Sequence, residues 1–345
     1  MVTFLYKQSI SVYSAYSNVD KARNEEDSME FDIQYLLMLQ ELRGLTGGVF
    51  DEVFNSLSKF AVDILVFLPF VIFWGVDKKW GYYFLTTHHV GELINGVIKL
   101  TVCAYRPWIR SELIEPAGDS KIAATGYSFP SGHTRTGTTI YGSVFLWQKD
   151  KRKWLSAVCV VLILLTGFSR NFLGVHTPQD VCVAMIESVI VLYVTWVVSK
   201  KAEGNEKLID ILTLIGIIFV IVSIIYIKVK PYPMDYTAEG VLLVDPKKMM
   251  NDCFKACGAL LGFLIGSYVD RHYMHYEIPF GAKELPVMVC VGFGLVMAWK
   301  DLFAPATIEA AFGGHWGNFI ARLVMLLFAM ICWPMIITKT CKTKK

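Results

Sequence analysis

Eight residues in the middle of the chain have the types and spacings needed to grip and transfer a tetrahedral anion. Lys99 and Arg106 lie seven apart in KLTVCAYRP, and Ser131, Gly132 and His133 follow Pro130. Arg170, His176 and Asp180 are spread over SRNFLGVHTPQD. Seven residues is about two helical turns, so Lys99 and Arg106 project from one face roughly 10 Å apart along the axis. Arginine offers a planar fork of donors and lysine a point charge, a pair that suits a dianion such as a phosphate group. Snorkelling to a membrane surface accounts for Arg106 but poorly for the deeper Lys99. Glu92 and Asn95 fall on the same face and are candidates to offset the Lys99 charge.

The other two groups read as helix starts. A helix beginning at Ser131-Gly132 presents free N–H groups and a positive dipole end to an anion. Gly132 allows close backbone approach and Ser131 adds a hydroxyl. His133 is then within reach of an oxygen leaving the bound group, although taken alone this segment also reads as an ordinary cap with an interfacial histidine. Further on, Thr177 has the position of an N-cap, Pro178 of the first helical residue and Asp180 of the third. His176 therefore sits just before a helix, with Asp180 folding back towards it. A carboxylate on one imidazole nitrogen fixes the tautomer and leaves the other free to attack. Glu187, seven residues beyond Asp180, is either a further partner or a hydrogen-bonded core carboxyl.

The elements that must carry these residues are membrane-spanning. Of 345 residues, 54% are hydrophobic and 18% charged, and the mean hydropathy is +0.46. Soluble domains carry about 25% charged residues. Repeated apolar runs of about 20 residues have the length of a spanning helix. The expected fold is an all-α polytopic bundle of nine spans, at about 60–76, 82–105, 131–148, 154–172, 178–199, 208–228, 250–269, 284–302 and 318–338. Ionisable groups inside such spans are functional candidates by default. The net charge of +3, without a basic aromatic-studded face, argues against nucleic-acid binding. The eight cysteines lie mostly in apolar segments and read as small hydrophobes, and Cys253 and Cys257 lack the second pair that a metal site would need.

Four regions follow. Residues 1–30 are polar and expected to be a disordered extension, with Met29 as a second candidate start. Residues 31–59 read as interfacial amphipathic helices. Residues 60–200 hold the chemistry, and 201–345 form C-terminal spans without a readable signature. There, Glu309, His315 and Arg322 are either headgroup contacts or solvated loop residues, and Asp252 and Lys255 read as interfacial. Lysine-rich loops at 77–79, 149–153 and 199–201, the Arg271/Lys283 loop and the tail 339–345 place those loops and the C-terminus in the cytoplasm. The N-terminus and all three motif groups then lie on the extracytoplasmic side. The third and fourth spans form a hairpin that returns His133 and His176 to one face.

In this order, KxxxxxxRP, PSGH and SRxxxxxHxxxD resemble the three signature motifs of the type 2 phosphatidic acid phosphatase family, with every signature letter present. The resemblance covers about residues 31–200. The family includes lipid phosphate phosphatases, undecaprenyl-diphosphate phosphatases and glucose-6-phosphatase. The nine-span layout is similar to the glucose-6-phosphatase branch, while the loop wording (VDKKWGYY, ATGYSFPSGHT) looks like bacterial members. The resemblance implies His176 as nucleophile forming a phosphohistidine, Asp180 as its orienting group and His133 as general acid. It implies Lys99, Arg106, Ser131, Gly132 and Arg170 as phosphate ligands, with no metal and no cofactor. The expected substrate is a phosphorylated lipid or another small phosphate ester. A phosphotransferase with the same intermediate and a non-enzymatic membrane protein on this fold are the alternatives. Oligomeric state is not legible.

Overall fold

The computed structural model describes residues 31–342 except 125, 282, 303–307, 309 and 310; the extension 1–30 and Glu309 lie outside the described residues. The fold is helical. Helix α1 covers 31–45, and α2 (Val49–Asp63) passes through a tight turn at Leu65–Phe67 into α3 (Leu68–Gly75). Then come α4 (Lys78–Val102), two short helices α5 (Pro107–Arg110) and α6 (Ser120–Ala123), α7 (Gly132–Gln148), α8 (Lys153–Phe172) and α9 (Pro178–Ala202). The C-terminal part holds α10 (Glu206–Val229), α11 (Pro246–Val269), α12 (Leu285–Leu302), α13 (Gly314–Leu327) and α14 (Trp333–Lys342).

Six helical runs among the described residues are long and apolar enough to cross a membrane: Val49–Gly75, Lys153–Phe172, Pro178–Ala202, Glu206–Val229, Pro246–Met274 and Gly314–Cys341. The other three expected spans fall on α4, α7 and α12. α4 is 25 residues long but carries His88, His89, Glu92, Asn95 and Lys99, and α7 carries Arg135 and a run of threonines. Both are packed among other helices, with His88, His89, Asn95 and Arg135 buried. α12 has a shorter apolar stretch, Leu285–Val296. The first expected span, 60–76, falls on the end of the run Val49–Gly75, whose α2 part still carries Asp51, Glu52, Lys59 and Asp63 before the apolar α3.

Helix starts follow the sequence. Asp77 caps α4 by accepting from Trp80 N at 3.0 Å, and Ser131 caps α7. Thr177 and Asp180 form a reciprocal capping box on α9. Small residues set how closely the helices pack. A Cβ on Gly258, Gly262 or Gly266 of α11 would fall 2.1 Å from Phe319 O, 2.7 Å from Leu323 O and 2.4 Å from Met330 Cβ. Three glycines at four-residue spacing thus make one face, on which α13 lies in backbone contact at Gly258 and Gly262 and Met330, just beyond α13, packs on Gly266. Apolar side chains of α8, α9 and α10 (Leu164, Ile190, Ile218 and others) point outwards, as a lipid-facing surface requires.

The two ends of the bundle differ. One gathers Lys78 on the buried Asp270 (2.7 Å), Lys79 on Glu203 (2.5 Å) and Arg271 on Asp210 (3.1 Å). The other gathers the C-terminal ends of α4 and α8 with the N-terminal ends of α7, α9 and α11, and there the motif residues meet.

Candidate active site

α4 ends in a left-handed turn at Cys103, and the chain then crosses to Arg106 just before α5. The α8–α9 connection is a tight loop in which Arg170 O accepts from Val175 N (3.2 Å) and His176 N (3.3 Å), with Gly174 at φ 70°. Asn171 Nδ2 donates to His176 O at 2.9 Å. Chain direction and tilt of the His176 backbone are therefore fixed before its side chain makes any contact.

The side chain is buried and held on both nitrogens. Nδ1 lies 3.3 Å from Asp180 Oδ2 and 3.4 Å from Ser128 Oγ, and Nε2 lies 2.9 Å from Arg106 Nη1. A guanidinium only donates, so Nε2 presents its lone pair and the ring proton sits on Nδ1, facing the carboxylate. Asp180 Oδ2 also accepts from Ser128 Oγ at 2.5 Å and from Thr177 N at 2.8 Å. Burial, reinforced by the neighbouring Arg106, pushes the His176 pKa well below its ordinary value, with Asp180 opposing. Burial likewise draws the Arg106 guanidinium down to about 10, still charged at neutral pH.

The remaining cations surround this pair. Arg106 is further anchored by Nε on Gly126 O (3.1 Å) and Nη1 on Val175 O (2.9 Å). Lys99 Nζ donates to the carbonyls of Tyr127 (3.2 Å), Ser128 (3.1 Å) and Pro130 (2.7 Å), so it braces the segment leading into α7. Arg170, 1% exposed, donates from Nη1 to Ser58 Oγ of α2 at 2.8 Å and leaves Nε without a hydrogen-bond partner. Ser131 Oγ accepts from Thr134, and its backbone N donates to Asp180 O at 3.0 Å, tying the start of α7 to that of α9. His133 is half-buried and within electrostatic reach of Arg170, His176, Arg106 and Lys99.

All eight residues singled out from sequence therefore come to one end of the bundle. Glu92 and Asn95 do not pair with Lys99. Asn95 Nδ2 donates to Glu187 Oε1 at 2.5 Å, and a Glu92 oxygen lies 3.5 Å from His89 Nδ1. Sequence reasoning missed Ser128, Asn171 and Ser58. Ser128 lies five residues before His133, where a hydroxyl just ahead of a helix cap was a readable signal; Ser58 had none, since its role depends on α2 packing on α8. Among the described residues, His88, His89 and Glu92 form a group whose ligand atoms lie within 4.8 Å of one another. Arg135 Nη1 stands 3.3 Å from His88 Nδ1, and a guanidinium there opposes a metal cation.

A helical membrane bundle with a buried His–Asp pair ringed by three cations defines a phosphatase of the membrane-embedded kind. The comparisons agree: residues 80–203 match the PAP2 superfamily, that of the type 2 phosphatidic acid phosphatases. It is 29% identical over 162 residues to undecaprenyl-diphosphatase BcrC of Bacillus subtilis, a match covering 45% of this chain and 78% of that protein. It is 28% identical over 132 residues to phosphatidylglycerophosphatase B of B. subtilis, covering 36% and 60%. For phosphatidylglycerophosphatase B of Escherichia coli K12 the identity is 32% over 96 residues, covering 24% and 37%. The matches thus span less than two thirds of the two phosphatidylglycerophosphatases. No solved structure matches the chain.

Proposed function

We propose that the protein hydrolyses a phosphomonoester or diphosphate of a lipid, of the phosphatidate or undecaprenyl-diphosphate type, at the extracytoplasmic face. The observation that carries this reading is the His176 geometry: Nδ1–H on a carboxylate, Nε2 lone pair directed at Arg106. Once Arg106 turns from Nε2 to a phosphoryl oxygen, Nε2 attacks phosphorus, the bond to the leaving oxygen breaks, and His133 gives that oxygen a proton. Water then attacks the phosphohistidine, His133 takes the water proton, and phosphate leaves from a regenerated imidazole. Arg106, Arg170, the Gly132 N–H and the Ser131 hydroxyl hold the equatorial oxygens, with Lys99 adding its charge from behind the segment it braces, and most of the rate enhancement in phosphoryl transfer arises from such contacts. These donors take the place of a metal clamp. The names of the relatives support a lipid substrate, and the exposed apolar helix faces beside the site give a lipid a route to it.

The test is phosphate release by the purified full-length protein from phosphatidate, phosphatidylglycerol phosphate and undecaprenyl diphosphate, with chelator and with His176→Ala. Release that persists in chelator and vanishes in the variant is expected. Undiminished release by His176→Ala would remove the nucleophile, and loss in chelator would remove the metal-free scheme. Transfer of phosphate to a second lipid in place of free phosphate would mark a transferase.

A further inference from the structure

Between α5 and α6 the chain from 111 to 117 runs without helix or strand, yet it packs directly on the turn that carries His176. Ala117 N donates to Leu173 O at 3.0 Å, and a Cβ on Gly174 would meet Pro116 Cα at 3.5 Å and Glu115 O at 3.6 Å. What holds this segment is α1. Asp32 accepts from Arg110 Nη1 at 2.8 Å and Nη2 at 3.1 Å. Gln40 donates from Nε2 to Leu113 O (3.1 Å) and accepts at Oε1 from Glu115 N (2.8 Å), and Arg43 Nη2 donates to Glu115 O (2.5 Å). An irregular segment whose backbone groups are satisfied by a neighbour takes its position from that neighbour. Contact therefore runs from α1 through 110–117 to Leu173-Gly174 and on to His176.

α1 has two faces. Asp32, Leu36, Leu39 and Arg43 recur at helical spacing and are buried, which makes the inner one. Phe31, Met38, Leu42 and Leu45 recur at helical spacing on the outer one and are between 45% and 86% exposed. Glu41 is the one charge among the exposed residues of this helix. A face turned to water carries charge, and four large apolar side chains in a row mark an interaction surface. Its occupant follows from its place. Two glycines in the left-handed conformation, Gly47 (φ 62°) and Gly48 (φ 74°), separate it from α2, whose first turn exposes Val49, Phe50 and Val53. α2 in turn opens the run Val49–Gly75, which is long and apolar enough to cross a membrane. The outer face of α1 thus continues a lipid-facing surface, with the geometry of a helix lying in the interface.

We propose that α1 is seated by this face in the lipid interface at the site's end of the bundle and, so seated, clamps the 110–117 segment and through it the His176 turn. A lipid surface is then an activating partner of the site, separately from any lipid that is its substrate. The effect on rate rests on the phosphatase reading above; the seating and the clamp do not. α1 lies outside residues 80–203, so this coupling is carried by a part of the chain beyond the matched family segment.

The experiment uses the full-length protein in phosphatidylcholine nanodiscs. In a cysteine-free background, a fluorophore attached at Met38→Cys should be quenched by nitroxide-bearing lipid. No quenching overturns the seating, and so does a disulfide between two copies through that cysteine, which would put a second copy on the face. Met38→Glu combined with Leu42→Glu, both on the exposed face, should speed amide hydrogen exchange at 111–117 and 173–176. The same variant should lower kcat at least about fivefold with KM little changed, the size of one hydrogen bond's contribution. The substrates are an aryl phosphate and dioctanoyl phosphatidate, soluble esters that separate this effect from delivery of a lipid by the bilayer. Met38→Leu should keep the unaltered exchange and kcat. Asp32→Ala, which cuts the clamp from the inner face, should reproduce both effects and leave the quenching in place. Exchange and kcat untouched in the doubly charged variant overturn the clamp and leave the phosphatase reading standing. No phosphate release from any ester overturns that reading and the activation with it, while quenching and exchange still decide the seating and the clamp.

Discussion

In the proposed reaction Asp180 and Ser128 around Nδ1 orient His176, and Arg106, which holds the Nε2 lone pair, releases it to a phosphoryl oxygen before attack. His176→Ala should lower phosphate release at least about a thousandfold, since no other side chain supplies the attacking lone pair. Ser128→Ala removes a donor from Asp180 and should lower kcat about tenfold with little change in KM, the size expected for one hydrogen bond felt in the transition state. The pH profile follows from the lowered imidazole pKa. A buried neutral His176 keeps its lone pair through mild acid, so the acid limb of kcat/KM should lie below the usual imidazole value of about 6.5. The same shift acts on stability. The unfolded chain takes up this proton near about 6.5 while the folded chain resists it, so thermal stability should fall as pH drops below that value. Melting curves between neutral and mildly acid buffer check the sign, and His176→Ala should flatten the dependence.

Individual helices owe their placement to small residues and to caps. α11 meets α13 at Gly258 and Gly262 and Met330 beyond it at Gly266, and at none of the three does a Cβ fit without a shift. Gly258→Val should destabilise the detergent-solubilised protein by about 1–3 kcal/mol, the usual cost of overpacking, and lower its melting temperature. Substitution at Gly204, which has no atom within 4 Å of an added Cβ but φ +73°, should show only the smaller backbone penalty. α1 and α2 act on the site from outside the matched family segment. Asp32 pairs with Arg110 at 2.8 Å, Arg43 Nη2 donates to Glu115 O, and Ser58 accepts from Arg170. The loop before α7 is thereby covered by helices that carry none of the motifs.

At the scale of the whole molecule, charge and chemistry separate to opposite ends. Lys78, Lys79 and Arg271 meet carboxylates at one end, and Arg106, Arg170, His133 and His176 meet at the other. The positive-inside rule then predicts an extracytoplasmic site. In a cysteine-free background, Glu115→Cys should react with an impermeant thiol reagent added to intact cells and not with reagent confined to the cytoplasmic side. Labelling from the cytoplasm alone would reverse the orientation.

The sequence by itself determined the helical class and singled out the motif residues that meet at one end of the bundle. Each follows from local or near-local rules: side-chain type, apolar run length, cap signatures at Ser131 and Thr177, and alternation of spans. Tertiary structure decided what those rules cannot reach. The polar faces of α4 and α7 conflict with a hydropathy reading until their neighbours are known, because burial of His88 or Arg135 depends on which helices cover them. Glu92 and Asn95 share a face with Lys99, yet Asn95 turns to Glu187 and Glu92 towards His89. Ser58 and Arg170 are 112 positions apart, and only packing of α2 on α8 makes them partners. Lys99 and Arg106 stand out in the letters of the chain; that Lys99 also borders a polar chamber walled by α11 is a property of the bundle, since a cavity belongs to no single segment.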